Sequence, residues 1–208
     1  MTLISPELLW RRERGVELPS VLWRAGEGWR MLASTVVGGG LGERCWVLNA
    51  QVDDSYARLD PDHHLTELAA GLPGAGVGML TAADVAGYRR ASDGGAEVLA
   101  TVAIGYPTWA AAPAERDAPA RPGTINLVIA VPAALSDAAL VNLIATATEA
   151  KVQALLEGGY ACTGTASDAI CVASRVDGPA AEFGGPRSHW GSRVARAVHA
   201  AVLEPRPH

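Results

Sequence analysis

The chain has 208 residues, 49% of them apolar and 19% charged, with a formal net charge of −5. That length is enough to bury a core without disulfides or metal, so a single domain over residues 1–208 is expected. Seventeen basic residues against 22 acidic ones, scattered with no basic stripe, exclude a nucleic-acid footprint.

From the N-terminus, Met1 to Glu17 carries Arg11, Arg12, Glu13 and Arg14 in a mixed segment and lacks the apolar stretch of a secretory signal. No run approaches the roughly 20 apolar residues of a membrane span. A soluble, cytoplasmic protein with no membrane partner is therefore expected. Runs rich in β-branched residues predict strands at Arg30–Val37, ending in Gly38-Gly39-Gly40, and at Cys45–Val52, Val77–Thr81, Val98–Ile104 and Thr124–Val131. One or two more fall within Tyr160–Arg175. Helices are expected at Pro61–Gly71, Ser136–Glu157 and Gly191–Leu203, and Pro107–Pro122 reads as a mobile surface loop. Several strands follow one another without an intervening helix. The fold class is therefore α+β and layered: a mixed, largely antiparallel sheet or sheets packed with helices.

Cofactor motifs mostly fail. Gly74-Ala75-Gly76-Val77-Gly78 lacks the third glycine at dinucleotide spacing, and no Gly-Lys-Thr or Gly-Lys-Ser occurs. His63 and His64 are adjacent, His189 and His199 lie ten apart and His208 is terminal, so no helical i, i+4 metal pair exists and no metal is expected. Cys45, Cys162 and Cys171 are odd in number and show no C-x-x-C spacing, which fits unpaired thiols in a reducing compartment. Cys162 and Cys171 flank a Gly-Thr segment where a catalytic thiol is conceivable, although an inert buried role is the commoner one. Six tryptophans outnumber one phenylalanine, and some are expected in the core while others stack on a flat ligand. The Gly38-Gly39-Gly40 run has two readings: a turn between strands, or a place where backbone N–H groups approach a ligand or an oxyanion.

Lys151 is the one lysine among sixteen arginines. Arginine keeps its proton in a protein, whereas a lysine ammonium is tunable by burial and then serves as base or nucleophile. Ser136 is a good N-cap, Asp137 sits in the first turn, and no breaker intervenes before Gly158-Gly159. At about 100° per residue, Leu140, Ile144, Ala147, Lys151 and Leu155 share one side, flanked by Val141, Leu143 and Val152. Asn142, Glu149, Gln153 and Glu157 take the other. An inward ammonium needs a carboxylate or loses its charge. Period-2 alternation through Thr163-Gly164-Thr165-Ala166-Ser167-Asp168 puts Thr163, Thr165 and Ser167 on one face and Asp168 with Ile170 and Val172 on the other, unless Gly164 bulges the strand. Asp168 is then the natural partner of Lys151, as a structural ion pair or as an acid/base pair. Thr124 in Gly123-Thr124-Ile125-Asn126 and Thr81 in Met79-Leu80-Thr81 supply further hydroxyls, and together these predict a polar pocket lined by small residues.

Six blocks in this order resemble the adenosylcobinamide amidohydrolases of cobamide salvage. They are Leu32-Ala33-Ser34-Thr35 leading to Gly38-Gly39-Gly40; Val47-Leu48-Asn49 with Val52; Val77-Gly78-Met79-Leu80-Thr81-Ala82-Ala83; Pro122-Gly123-Thr124-Ile125-Asn126; Thr146-Ala147-Thr148-Glu149-Ala150-Lys151; and Gly164-Thr165-Ala166-Ser167-Asp168-Ala169. The similarity runs over about residues 20 to 203. It departs at Ile104-Gly105-Tyr106-Pro107-Thr108-Trp109, where the family tends to have Gly followed by Asn-Pro.

The resemblance implies hydrolysis of the amide that joins a corrin propionyl arm to aminopropanol, giving adenosylcobyric acid and 1-amino-2-propanol. The cobalt corrinoid is then the substrate and no cofactor is expected. Such chemistry needs a nucleophile or activated water, an oxyanion stabiliser and an acid for the leaving amine. Lys151 with Asp168 is the candidate for proton transfer, and Thr165 or Ser167 for the nucleophile. Backbone near Gly38, Gly39 and Gly40 or near Gly123-Thr124 is the candidate oxyanion site. Asn49 and Asn126 are candidates to orient the amide, and Trp109 to cover a corrin face. The competing classes are a non-catalytic corrinoid-binding protein, a self-processing hydrolase with a threonine at a new N-terminus, and a scaffold. Homo-oligomerisation stays open.

Overall fold

The computed structural model describes residues 2–113 and 123–203. In chain order the elements are β1 (Pro6–Glu13), β2 (Val16–Arg24), β3 (Trp29–Ala33), β4 (Gly40–Glu43), β5 (Trp46–Gln51), α1 (Pro61–Leu68), β6 (Gly76–Thr81), β7 (Arg89–Asp93), β8 (Ala96–Ala103), β9 (Thr124–Ala134), α2 (Asp137–Glu157), β10 (Ala169–Arg175) and α3 (His189–Val202). They build a four-stranded sheet ordered β1-β2-β5-β6 and a six-stranded sheet ordered β4-β3-β10-β9-β8-β7. Pairing is antiparallel except for β5 with β6 and β9 with β10. The layered α+β class, mixed and mostly antiparallel, is the one the sequence predicts.

The alternation of side chains along β9 makes the layers. Ile125, Leu127, Ile129 and Val131 face α2 and α3, where Leu140, Leu143, Ala147, Leu155, Val194 and Val198 complete one core. Val128 and Ala130 face the opposite way, toward Val21, Trp23, Val47, Val77 and Met79 of the smaller sheet. A strand covered on both faces reads as a continuous apolar run, as Thr124–Val131 does. On the outer side of the smaller sheet, Leu22, Trp46 and Leu48 meet Leu68, Ala69 and Leu72 at the end of α1. Gly76 is required beneath this layer, since a Cβ there would lie 1.9 Å from the Trp46 ring.

The structure corrects several expectations. The strand expected at Arg30–Val37 ends at Ala33, and Ser34 to Gly39 form a loop. The loop must be glycine-rich: Gly38 has φ +67° and a Cβ on it would lie 1.9 Å from the Gly76 carbonyl oxygen, while one on Gly39 would lie 2.2 Å from that of Thr35. The N-terminal segment forms the β1–β2 hairpin, and β4 and β7 are short edge strands too polar or glycine-rich to stand out in the sequence. Val141, expected beside the buried face of α2, is 62% exposed. Of the loop expected at Pro107–Pro122, residues 107–113 are described and the remainder lies outside the described residues.

Leu127 is fully buried in β9 between the sheet and both long helices. Leu127→Ala is expected to cost about 2–5 kcal/mol, read as a lowered denaturation midpoint with an unchanged m-value.

Candidate active site

The registers of the six-stranded sheet bring four chain segments to one edge. Parallel pairing sets Ala169, the first residue of β10, beside Asn126 near the start of β9. Antiparallel pairing sets the end of β8, Ala103, beside Thr124, and the end of β3, Ala33, beside Cys171. The loop after β3, the loop after β8 and the segment before β10 therefore meet where β9 begins. α2, which crosses from β9 back to β10, brings Lys151 to the same place from its buried face.

Asp168 is the hub of this edge. Its carboxylate pairs with the Lys151 ammonium, and the two side chains are only 7% and 12% exposed. It also accepts from the Ile125 N–H at 2.9 Å, from the Thr165 hydroxyl at 2.6 Å, and from the Thr165 N–H at 3.2 and 3.3 Å to its two oxygens. Residues 163–168 are thus a turn closed by a carboxylate and not the alternating strand expected, so Thr165 and Asp168 bond to each other and do not face apart. Gly164 permits this fit. Its φ is +155°, and a Cβ on it would lie 2.2 Å from Asp168 Oδ2 and 2.6 Å from Lys151 Nζ.

Asp168 and Ser167 line a cleft of about 330 Å³ together with Ser34, Thr35, Val36, Pro61, Leu65, Gly78, Met79, Leu80 and Ala169. The cleft lies where the smaller sheet meets the larger one through the bridge between Val37 and Gly78. Ser167 Oγ is 2.9 Å from Thr124 Oγ1 and donates to the Gly123 carbonyl at 3.2 Å. Ser34 Oγ accepts from the Ile170 N–H at 3.1 Å, and Thr35 Oγ1 donates to the Val37 carbonyl at 2.8 Å. Sequence reasoning did not select Ser34 and Thr35 as site residues. The available signal was a hydroxyl pair two residues before the glycine run.

The remaining expected residues sit around this hub. Asn49 and Asn126, each 1% exposed, bind one another at 2.9 Å. Asn49 Nδ2 donates to Thr101 at 2.9 Å, and Asn126 Nδ2 also donates to the carbonyl of the cleft-lining Leu80 at 3.0 Å. Thr81 is buried and its hydroxyl accepts from the Ala83 N–H at 3.0 Å, closing the turn after β6. Trp109 is 47% exposed on a loop tied to the turn before Asp168. The Thr108 N–H donates to the Gly164 carbonyl at 2.9 Å, and the Thr163 N–H returns to the Thr108 carbonyl at 2.9 Å. The first part of the expected mobile loop is therefore fastened to the site.

Cys162 and Cys171 are fully buried, and burial pushes the Cys171 thiol up to about 12, which removes thiolate chemistry there. His64, next to the cleft-lining Leu65, is 3% exposed and lies 3.1 Å from the Tyr56 hydroxyl, and its burial holds the imidazole below its ordinary pKa. Among the described residues no three His, Cys, Asp or Glu side chains come together as a metal site requires. Among them, too, no helix is long and apolar enough to cross a membrane.

Residues 6–205 match the adenosylcobinamide amidohydrolase family. An adenosylcobinamide amidohydrolase of Methanosarcina mazei is 30% identical over 176 residues, which span 79% of this chain and 84% of that protein. One of Halobacterium salinarum is 45% identical over 84 residues, spanning 40% of this chain and 36% of that protein. A solved protein of Pyrococcus horikoshii OT3 superposes with a TM-score of 0.47 at 15% identity, covering 95% of this chain and 82% of its own.

Two outcomes follow from the hub. Gly164→Ala, whose Cβ would occupy the space between both charged groups, is expected to abolish turnover and lower the melting temperature. Removing one member of a buried ion pair costs about 3–5 kcal/mol. Lys151→Met and Asp168→Asn should therefore each destabilise strongly, and the double variant should fall short of their sum by about 0.5–3 kcal/mol in a denaturation cycle.

Proposed function

As this chain belongs to the adenosylcobinamide amidohydrolase family, we propose that it hydrolyses the amide between the corrin ring's propionyl arm and aminopropanol. The products are adenosylcobyric acid and 1-amino-2-propanol. The observation that carries this reading is the hydrogen-bonded chain from Thr165 Oγ1 through Asp168 to Lys151 beside an open cleft. A hydroxyl, a group to take its proton and a group to orient that acceptor is the arrangement of an activated nucleophile.

In the proposed reaction Thr165 Oγ1 attacks the amide carbon while its proton passes to Asp168. The C–N bond breaks as the Asp168–Lys151 pair returns a proton to the departing amine. Water then cleaves the ester, restores the Thr165 hydroxyl and leaves the carboxylic acid, so one water is consumed per amide. Backbone N–H groups of the Gly38–Gly40 loop, next to the cleft-lining Thr35 and Val36, stabilise the oxyanion. Thr124, which is 5% exposed, positions Ser167, and Asn49 and Asn126 position the Leu80 wall. A cleft of about 330 Å³ is sized for the aminopropanol arm and not for a macrocycle. The corrin ring therefore rests on the rim, within reach of the Trp109 loop. No cofactor enters the scheme.

A second reading, direct attack by water, is favoured by one detail: Ser167 and Asp168 line the cleft, and Thr165 does not. In that case Thr165 only fixes Asp168, and Ser167 binds the amide or the water.

The test is incubation with adenosylcobinamide, followed by liquid chromatography and mass spectrometry. Loss of the aminopropanol unit is expected in the wild type, with kcat lowered about 10²–10⁴-fold in folded Asp168→Asn. A quench that traps a protein adduct on Thr165 selects the covalent route, whereas Thr165→Val with near-normal kcat selects water. An unchanged corrinoid that co-elutes with the protein overturns the hydrolase reading in favour of a binding protein.

A further inference from the structure

The edge strand β1 carries a second, independent signal. Leu8, Leu9 and Trp10 are consecutive and are 41%, 41% and 57% exposed. β1 ends the order of the smaller sheet, so among the described residues only one of its edges is paired, with β2. An exposed apolar run on a free strand edge is a template for another strand, and proteins that stay monomeric usually blunt such an edge with charge, proline or a bulge. Here the register with β2 runs without a bulge from Pro6 to Glu13, the only proline of the strand stands at its start, and its charges, Glu7, Arg11, Arg12 and Glu13, flank the apolar run without interrupting it and include both signs, so that they can pair across a two-fold axis.

We propose that this edge pairs antiparallel with the same strand of a second copy, with Leu9 set against Leu9 of that copy, and joins the two four-stranded sheets into one. The register follows from symmetry. Directly opposed residues in an antiparallel pair point to the same face, so a two-fold axis through the sheet can only match residues an even number apart. Centring on Leu9 sets Leu8 against Trp10 on one face, Leu9 against Leu9 on the other, and Glu7 against Arg11. Centring on Trp10 instead opposes Glu7 to Glu13 and sets Leu8 and Leu9 against Arg12 and Arg11. Centring on Leu8 opposes Leu9 to Glu7 and shortens the overlap. Only the Leu9 register pairs Leu8, Leu9 and Trp10 among themselves and sets Glu7 against Arg11, with Arg12 opposite Pro6. Glu7 already meets Arg24 at 3.3 Å and Arg11 meets Glu13 at 3.0 Å, so the new pairs extend an existing ladder of alternating charge. A self-complementary patch closed by one two-fold axis is the ordinary form of a homodimer interface.

The test is the solution mass of the full chain by sedimentation equilibrium from micromolar to submillimolar concentration, with two variants. Twice 21.5 kDa is expected for the wild type. Leu9→Lys, which opposes two ammonium groups at the axis while changing a residue already at the surface, should halve that mass and leave the circular dichroism spectrum and hydrolytic turnover per chain unchanged. Leu9→Cys in a Cys45→Ser background should form an intermolecular disulfide on mild oxidation, whereas Trp10→Cys should not. A wild type of single-chain mass throughout overturns the proposal. So does a dimer that survives Leu9→Lys, or cross-linking through position 10 in place of position 9.

Discussion

The site depends on one buried ion pair, and that pair depends on the register of two parallel strands. Because β10 starts beside Asn126, the residue before it, Asp168, arrives at the Ile125 N–H. The helix that makes the crossover must pack its apolar face on the same sheet, and Lys151 lies on that face. An ammonium buried without a partner would be too costly to hold, and a carboxylate there alone would be equally exposed to desolvation. Each charge is tolerable only because the fold delivers the other, so the pair couples helix placement to strand register. Gly164 is the residue that lets them touch, because any side chain there would enter the space between them.

The polar groups collect at one edge of the sheet for a related reason. Both faces of the six-stranded sheet are covered, one by α2 and α3 and the other by the smaller sheet, so its strands are apolar along most of their length. Hydroxyls and carboxylates are tolerated where the ladder ends and backbone groups need partners. Ser34 accepts from Ile170, Ser167 donates to Gly123 and Asp168 accepts from Ile125. The first ties the end of β3 to the start of β10, and the other two tie the starts of the parallel strands β9 and β10 together. The same bonds that close the sheet therefore assemble a cleft lined with polar chemistry.

How much of this was legible in the sequence depended on whether the signal was local. The period of α2 and its Ser136 cap are local, and they placed Lys151 inward correctly, since it is 5% exposed. The partnership with Asp168 was also legible, but its geometry was not. Alternation assumed a strand, whereas the Asp168 carboxylate collects Thr165 donors and makes a turn, a choice fixed by a hydrogen-bond network formed only in the folded state. The hairpin of β1 and β2 escaped because β1 exposes its apolar residues and β2 carries Pro19. Sequence reveals the polarity of Asn49 and Asn126 but not that the Asn126 NH2 donates to Asn49 Oδ1, nor that Asn126 Oδ1 is buried without a partner among the described residues. Glycine is required at position 38 by the Gly76 carbonyl, a contact between distant segments that no single run of residues announces.

The use of one lysine among sixteen arginines now has a physical account. The arginines that make ion pairs near the surface, such as Arg58 with Asp60 and Glu67 or Arg196 with Asp93, use a planar fork to grip carboxylates in two places. Asp168 offers no room for such a grip. One oxygen is taken by Ile125 and the Thr165 hydroxyl, and the approach to the other is walled by Gly164, whose missing Cβ would lie only 2.6 Å from the ammonium. A compact head group on a long stem fits that opening, and the whole side chain is buried. The steric requirement of the turn thus selects lysine over arginine at this position.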